Sequence, residues 1–346
     1  MSLMFFLGVD VSKETLSVVL TDHKDKTLWS NKSIPNDEIG FKKLVQTVIK
    51  NVSKKAEGKE EYSIAAGMEA TGVYGERLAY YLNGNSDDGR IITYVLNPAA
   101  VRAFGNSVKA PNKNDSADSQ LIASYLSMAI TKGQISPWNA PSPEVCALKE
   151  LSRRRDDLIG LLESEHNRLE KLECMQEPSE AIVENVKEHV CYLTHSIRSL
   201  EKKIEDHIDD DPRIRDDIEL LRSIPGIGEV TSVTLQGESY GLNNFTSVKG
   251  LVSFVGIAPS EHTSGTSVFK RPKISRRGNA RIRHHLYMAT LVATRVNPVI
   301  KEFYERLQNR GKCKKLALVA CMRKMLHIIW GVIKNRKSFD PCYSLK

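Results

Sequence analysis

Met4-Phe5-Phe6-Leu7-Gly8-Val9-Asp10-Val11 is an apolar run broken near its end by a single carboxylate. Such a run, rich in Phe and Val, reads as a buried strand. Leu16 to Leu20 is a second strand-like run. Thr27 to Ser33 is a third, after the polar turn Asp22-His23-Lys24-Asp25-Lys26. Three runs separated by short turns predict an antiparallel meander. The start of the chain lacks a basic n-region and meets an acid at position 10, so a strand is expected there and not a signal peptide.

Further along, Phe41, Leu44, Val45, Val48 and Ile49 recur at helical spacing, and Lys54 to Glu61 reads as polar loop. Tyr62 to Met68 is a buried strand ending at Glu69. Val73 to Leu82 is helical, Ile91 to Leu96 a strand, and Asn97-Pro98 opens a short helix. Lys109 to Asn114 is basic loop, followed by a helix over Ser116 to Ile130. Three strands, helix, strand, helix, strand, helix is the order of an RNase H-like α/β domain.

Residues 144–210 change character. Leu151, Leu158, Leu162, Leu169 and Leu172 alternate at three and four, and the pattern resumes at Val186, Val190, Leu193, Ile197, Leu200 and Ile204. Two long helices with a turn at Pro178 are predicted, as an antiparallel coiled-coil arm or as two helices of an ordinary bundle. Residues 213–346 form a mainly helical third region, with Pro259 to Ser275 read as loop. The expected division is 1–140, 141–212 and 213–346. At roughly 150 residues per domain, 346 residues suit two domains and a connector.

Charge is uneven. Residues 1–130 carry 15 basic and 15 acidic side chains, residues 131–220 carry 13 and 21, and residues 221–346 carry 22 and 6. A strongly basic C-terminal segment points to a polyanion, with nucleic acid as the default partner and a merely soluble basic domain as the alternative. The 41% hydrophobic content argues against wholesale disorder. No run of eighteen apolar residues occurs, so no membrane span is expected. The six cysteines show neither a C-x-x-C pair nor a zinc spacing, which suits a reducing, cytoplasmic setting. Trp29, Trp138 and Trp330 read as packing residues.

Four acids stand out. Asp10 lies inside an apolar strand, where an unpaired carboxylate is costly. Glu69 ends a strand that neighbours it in the expected fold. Asp115 and Asp118 are three apart at a helix start and share a face. Each has a plain alternative: a hydrogen-bonded buried acid, or acids favoured at a helix N-terminus. Jointly, converging carboxylates need a hard cation such as Mg2+ or Mn2+.

The segments Gly8-Val9-Asp10-Val11-Ser12-Lys13, Met68-Glu69-Ala70-Thr71-Gly72-Val73-Tyr74 and Lys113-Asn114-Asp115-Ser116-Ala117-Asp118 resemble the DEDD transposases of bacterial insertion sequences, insertion-sequence family one-hundred-ten. The resemblance implies a RuvC-like domain, a coiled-coil connector and a C-terminal transposase domain, with Asp10, Glu69, Asp115 and Asp118 as metal-binding acids. Asn114 stands where a threonine is usual.

In the basic region, Ile224-Pro225-Gly226-Ile227-Gly228 resembles a helix-hairpin-helix turn, whose Gly226 and Gly228 would let backbone N–H groups approach phosphate; a plain helix–helix turn is the alternative. Lys270, Arg271, Lys273, Arg276, Arg277, Arg281 and Arg283 form a cationic cluster suited to phosphates. His284 and His285 read as phosphate contacts or solvated residues. By spacing alone Ser264 competes with Ser260, Thr263, Ser267 and Ser275. The resemblance singles out Ser264, in a Ser-Gly step, as a catalytic nucleophile forming a phosphoserine intermediate. It further implies a DNA substrate, a structured guide RNA, and a homo-oligomer (dimer or tetramer) whose active sites combine two protomers. The rival readings are a RuvC-like junction endonuclease using metal-activated water, a non-catalytic nucleic-acid scaffold, and a sugar-kinase-like ATPase, for which Gly-x-Asp-x-Ser is the only support.

Overall fold

The computed structural model describes residues 3–56, 62–70, 72–84, 90–108, 115–264, 268–275 and 278–342, of which 115–117, 260–264 and 268–273 are described by backbone only. The chain divides into two compact units, Met1–Ala140 and Pro141–Lys346.

In the first unit the meander forms as β1 (Leu3–Val11), β2 (Thr15–Thr21) and β3 (Thr27–Pro35), followed by α1 (Glu38–Lys55). Asp37 caps α1 by accepting a hydrogen bond from the Gly40 N–H. Then come β4 (Tyr62–Glu69), α2 (Val73–Gly84), β5 (Ile91–Leu96), α3 (Pro98–Ser107) and α4 (Asp115–Thr131). The sheet order is β3-β2-β1-β4-β5. β1–β2 and β2–β3 are antiparallel, while β4 and β5 run parallel to β1. This mixed topology is the one expected of an RNase H-like domain.

The apolar run of β1 is continuous because both faces of the sheet are covered. Phe5, Leu7 and Val9 pack with Phe41, Leu44, Val48 and Leu78 from α1 and α2. Phe6, on the opposite face, packs with Ala65, Leu96, Ile122 and Leu126 under α3 and α4. Trp29 and Trp138 pack against the first of these cores.

α4 lies unusually close to the sheet. A Cβ built on Gly8 would sit 2.1 Å from the Ser119 carbonyl oxygen and 2.6 Å from the Ala123 nitrogen; one on Gly67 would sit 2.9 Å from Leu126 Cδ2. Two glycines on neighbouring strands therefore form the groove in which the helix beds.

The second unit opens with two long helices, α5 (Pro143–Glu173) and α6 (Glu180–Asp210). The pairs Glu144 with His207, Arg155 with Glu201, and Glu165 with His189 run in opposite senses, so the helices are antiparallel. Leu158, Leu193 and Ile197 fill the middle of the seam. Glu165 is also buried there, against Arg168 and His189. Near the other end Val145, Leu148, Ile204 and Ile208 join residues of α7 (Pro212–Arg222) and α8 (Glu229–Glu238).

α9 (Val248–Val255), β6 (Pro259–Ser264), β7 (Val268–Ile274), α10 (Ala280–Val296), α11 (Pro298–Asn309) and α12 (Lys314–Asn335) complete the chain. α12 has the length and apolarity of a membrane span, but Cys321, Met325, Leu326, Ile329 and Ile333 are the centre of this unit's core. Trp330 packs against the same core.

Residues 259–275 depart from the loop expected of them: β6 and β7 pair as an antiparallel hairpin. Their Ser, Pro and Lys content hides the strands, because β-propensity depends on the surface a strand finds to pair with. The single shift in register lies between Ser260 and His262.

Gly8→Ala is expected to lower the unit's stability by about 1–3 kcal/mol through overpacking, whereas Gly84→Ala, with nothing within 4 Å of the added carbon, should change it little. Urea midpoints of the two variants check this; a Gly8→Ala protein as stable as wild type would contradict the close approach.

Candidate active site

The parallel register pairs Val9 of β1 with Met68 of β4. The next residues along, Asp10 and Glu69, stand side by side at the C-terminal ends of these strands, where open α/β sheets place their ligands. Strand alternation puts both on the face of Gly8 and Gly67, the face that receives α4. Because α4 beds so closely, its first turn delivers Asp118 to the same place. All three carboxylates are half-buried.

Electrostatics records the convergence. The Glu69 carboxyl is pushed above its ordinary range, first by desolvation and then by the negative charges of Asp10 and Asp118. The Arg102 guanidinium acts in the opposite direction. Arg102 lies on α3 and is exposed, and sequence reading had not marked it. Among the described residues, no three His, Cys, Asp or Glu side chains are drawn together tightly enough to hold an ion. The side chain of Asp115 lies outside the described residues; its backbone opens α4.

Two contacts brace this end of the sheet. Ser17, the β2 partner of Asp10, meets the Ser119 hydroxyl at 3.3 Å in the interior. The Asn36 amide donates to the Ser12 carbonyl (2.9 Å) and the Tyr74 carbonyl (3.2 Å), tying the segment after β1 to the start of α2. Neither residue was legible as a site residue, because each acts by position rather than by chemistry.

In the second unit Ser264 is the last residue of β6 and pairs with Val268, which places it at the tip of the hairpin. Its side chain, those of Lys270, Arg271 and Lys273, and Arg276 and Arg277 entirely, lie outside the described residues, as does Gly265.

The hairpin's base is clamped. The Ser275 N–H donates to the Ala258 carbonyl and the Asn279 N–H to the Phe254 carbonyl. A Cβ on Gly278 would sit 2.3 Å from that same Phe254 oxygen. Arg283 donates to the Val255 and Gly278 carbonyls at 2.9 and 3.0 Å. Asn279 caps α10 through the Ile282 N–H and donates to Glu238. Glu238 is buried, and Arg153 grips it with two N–H groups. Burial alone would raise the Glu238 carboxyl, but Arg153, Asn279 and Lys149 outweigh it and hold the acid below its usual range.

Two of the seven clustered cations are thus engaged inside the protein. Arg283 serves backbone carbonyls, and Arg281 forms ion pairs with Asp156 (3.2 Å) and Asp157 (2.8 Å). His285 is neither solvated nor open to phosphate as expected: it is largely enclosed and bonded to Asp156 at 3.0 Å. Burial pushes the Asp156 carboxyl up, but His285, Arg155 and Arg281 together bring it below its ordinary value.

Gly226, with φ of 101°, presses against α10; a Cβ there would meet the Ala293 Cβ at 2.6 Å. Its glycine character is thereby explained by packing. Gly228 opens α8 with no side-chain cap, and Glu229 follows in the first turn.

Comparison with known proteins matches this chain in both units. A model for the DEDD transposases of IS110, described as "Transposase", covers residues 7–173. A second, described as "Transposase IS116/IS110/IS902 family", covers residues 218–305. The "Pilin gene-inverting protein" of Moraxella bovis is 28% identical over 97% of both chains. An "Insertion element IS116 uncharacterized 44.8 kDa protein" of Streptomyces clavuligerus is 22% identical over 97% of this chain and 96% of its own. A solved structure of T. thermophilus RuvC in complex with Holliday junction substrate overlaps 39% of this chain and 99% of its own, at 14% identity and a TM-score of 0.28. The chain belongs to the IS110 family of DEDD insertion-sequence transposases.

Proposed function

We propose that this protein is a transposase that cleaves and rejoins DNA strands through divalent metal ions held in the first unit and the Ser264 hydroxyl of the second. The observation that carries the reading is the convergence of Asp10, Glu69 and Asp118 on one face, recorded in the raised Glu69 carboxyl. Half-buried acids that repel one another serve no packing purpose, and their cost is relieved by a cation.

The donor set fits Mg2+ or Mn2+: every candidate ligand is a hard anionic oxygen. Asp10, Glu69 and Asp118, joined by Asp115, would hold it, and a bound ion would polarise phosphodiester oxygens and neutralise developing charge. Ser264 would form a new Oγ–P bond while the P–O bond to the departing nucleoside oxygen breaks, and that oxygen takes up a proton. The phosphoserine keeps the energy of the broken linkage, so a second strand's hydroxyl can restore a phosphodiester. The hairpin clamp at Gly278 and Asn279 would fix the nucleophile's backbone, since a misplacement of about 1 Å can cost on the order of a hundredfold.

In the same reading α5 and α6 form a coiled-coil connector, giving regions 1–140, 141–212 and 213–346. Lys270, Arg271, Lys273, Arg276 and Arg277 contact the sugar-phosphate backbone, a structured guide RNA supplies sequence choice by base pairing, and protomers assemble into a dimer or tetramer that completes each active site. The protein then acts on DNA in the bacterial cytoplasm.

Denaturing gels of end-labelled element DNA incubated with protein test the chemistry. Wild type is expected to give a covalent protein–DNA adduct. Ser264→Ala should abolish both adduct and strand transfer, and Asp10→Asn should slow cleavage on the order of 10²–10³-fold. Cleavage that continues without any adduct would transfer the reaction to metal-activated water and overturn the serine's role.

A second expectation concerns the acids. Glu69 binds its proton more tightly folded than unfolded, so its ionisation costs stability as pH rises above the ordinary carboxylate range. In chelator, Glu69→Gln should therefore melt higher than wild type at pH 7, with the gap closing toward pH 4. Magnesium should raise the wild-type melting temperature and leave the variant's almost unchanged. Equal magnesium responses in the two proteins would argue against a site at these residues.

A further inference from the structure

We propose that the α11–α12 turn and the exposed face of α12 form a binding surface for the sugar-phosphate backbone of duplex DNA, separate from the cluster at 270–283. The inference rests on the transposase reading only for the class of polymer.

From Arg306 to Phe339 the sequence contains ten Lys or Arg and no Asp or Glu. Arg310, Lys312, Lys314, Lys315 and Arg323 are exposed, and among the described residues none of them makes an ion pair. Other cations of the unit are spent internally: Arg336 on Asp216 and Asp217, Lys334 on the Asn243 carbonyl, Arg281 on Asp156 and Asp157. The folded unit thus consumes positive charge elsewhere and leaves this turn uncompensated. Five like charges in fourteen residues repel one another, and nothing in the packing requires them.

The scaffold beneath is rigid. Ala317, Leu318, Cys321, Met322, Met325 and Leu326 are buried, which fixes the rotation of α12 about its axis. Lys315 and Arg323 share the outward side, eight residues apart, so they stand about 12 Å from each other at 1.5 Å per residue. That matches the width of about 12 Å across the B-form major groove, so the two can reach phosphates on opposite walls. Gly311, with φ of 76°, turns the chain so that Arg310 and Lys312 flank the start of the helix. The first turn of α12 holds no acid, so its free N–H groups add to the same positive field. The field is felt locally: burial lowers the affinity of His327 for a proton, and Arg323 and Lys324 lower it further.

The test is the salt dependence of binding to a labelled 30-base-pair B-form DNA duplex of arbitrary sequence, in chelator so that no cleavage occurs. Each phosphate contact contributes about 0.9 to the slope of log K against log salt. The full-length Arg310→Gln/Lys312→Gln/Lys314→Gln/Lys315→Gln protein is expected to lose about 3–4 from that slope, and Lys312→Gln/Lys314→Gln about 2. Both should melt no lower than wild type, since the positions are exposed. A control removes four exposed cations of α6, Lys187, Arg198, Lys202 and Lys203, and should keep the wild-type slope.

An unchanged slope in the fourfold variant, or an equal loss in the control, overturns the proposal. A loss seen with duplex RNA but not with duplex DNA overturns it in favour of an RNA site. Wild-type cleavage and adduct formation are scored separately, so a failure here leaves the transposase reading standing, and a failure there leaves this surface standing.

Discussion

The first unit depends on one close approach, the backbone of α4 lying directly on β1 at Gly8. The Ser119 carbonyl and Ala123 nitrogen occupy the space a side chain would need. Everything at the candidate site follows from that contact. It sets the height of α4 above the sheet and so the reach of Asp118. Strand alternation sends Asp10 and Glu69 to the face that α4 covers, and the parallel register puts them level. A larger residue at 8 or 67 would lift the helix and move one carboxylate away from the other two while leaving every hydrophobic contact of the opposite face intact.

Much of this was legible in sequence. Asp10 could be read because a lone acid in Phe-Phe-Leu-Gly-Val-Asp-Val violates the expected pattern, and Glu69 because it ends a run of buried residues. The strand order followed from periodicity and turn residues. What escaped reading were the residues that act by location. Gly8 and Gly67 look like ordinary strand glycines until the helix above them is known. Asn36 and Ser119 are polar residues of common type whose partners lie 24 to 102 positions away. The β6–β7 hairpin escaped because a two-stranded ribbon of Ser, Thr, Lys and Pro carries no apolar alternation, and its stability comes from a base stitched to α9 and α10.

The basic cluster shows a different limit. Counting charge locates an excess but not its use. Within Arg281-Ile282-Arg283-His284-His285, three side chains turn inward, to Asp156 and Asp157, to backbone carbonyls, and to Asp156 again. The acids that receive them sit on α5, more than 120 positions earlier in the chain. The acidic 131–220 segment and the basic segment after it are therefore partly one neutralised system, and the surface charge that remains is set by which cations the fold leaves without a carboxylate.

Buried acids in this chain are handled in two opposite ways. At Glu238 and Asp156 burial is answered by arginine, asparagine and histidine donors, and both carboxyls end below their ordinary range. Such acids hold a fold together and are stabilising while ionised. At Glu69 burial is answered by two more acids, and the carboxyl ends above its range. The exposed Arg102 acts in the opposite direction without cancelling that rise. That rise sets Glu69 apart from Glu238 and Asp156, and the hard cation proposed for this site would offset it through its charge and oxygen preference.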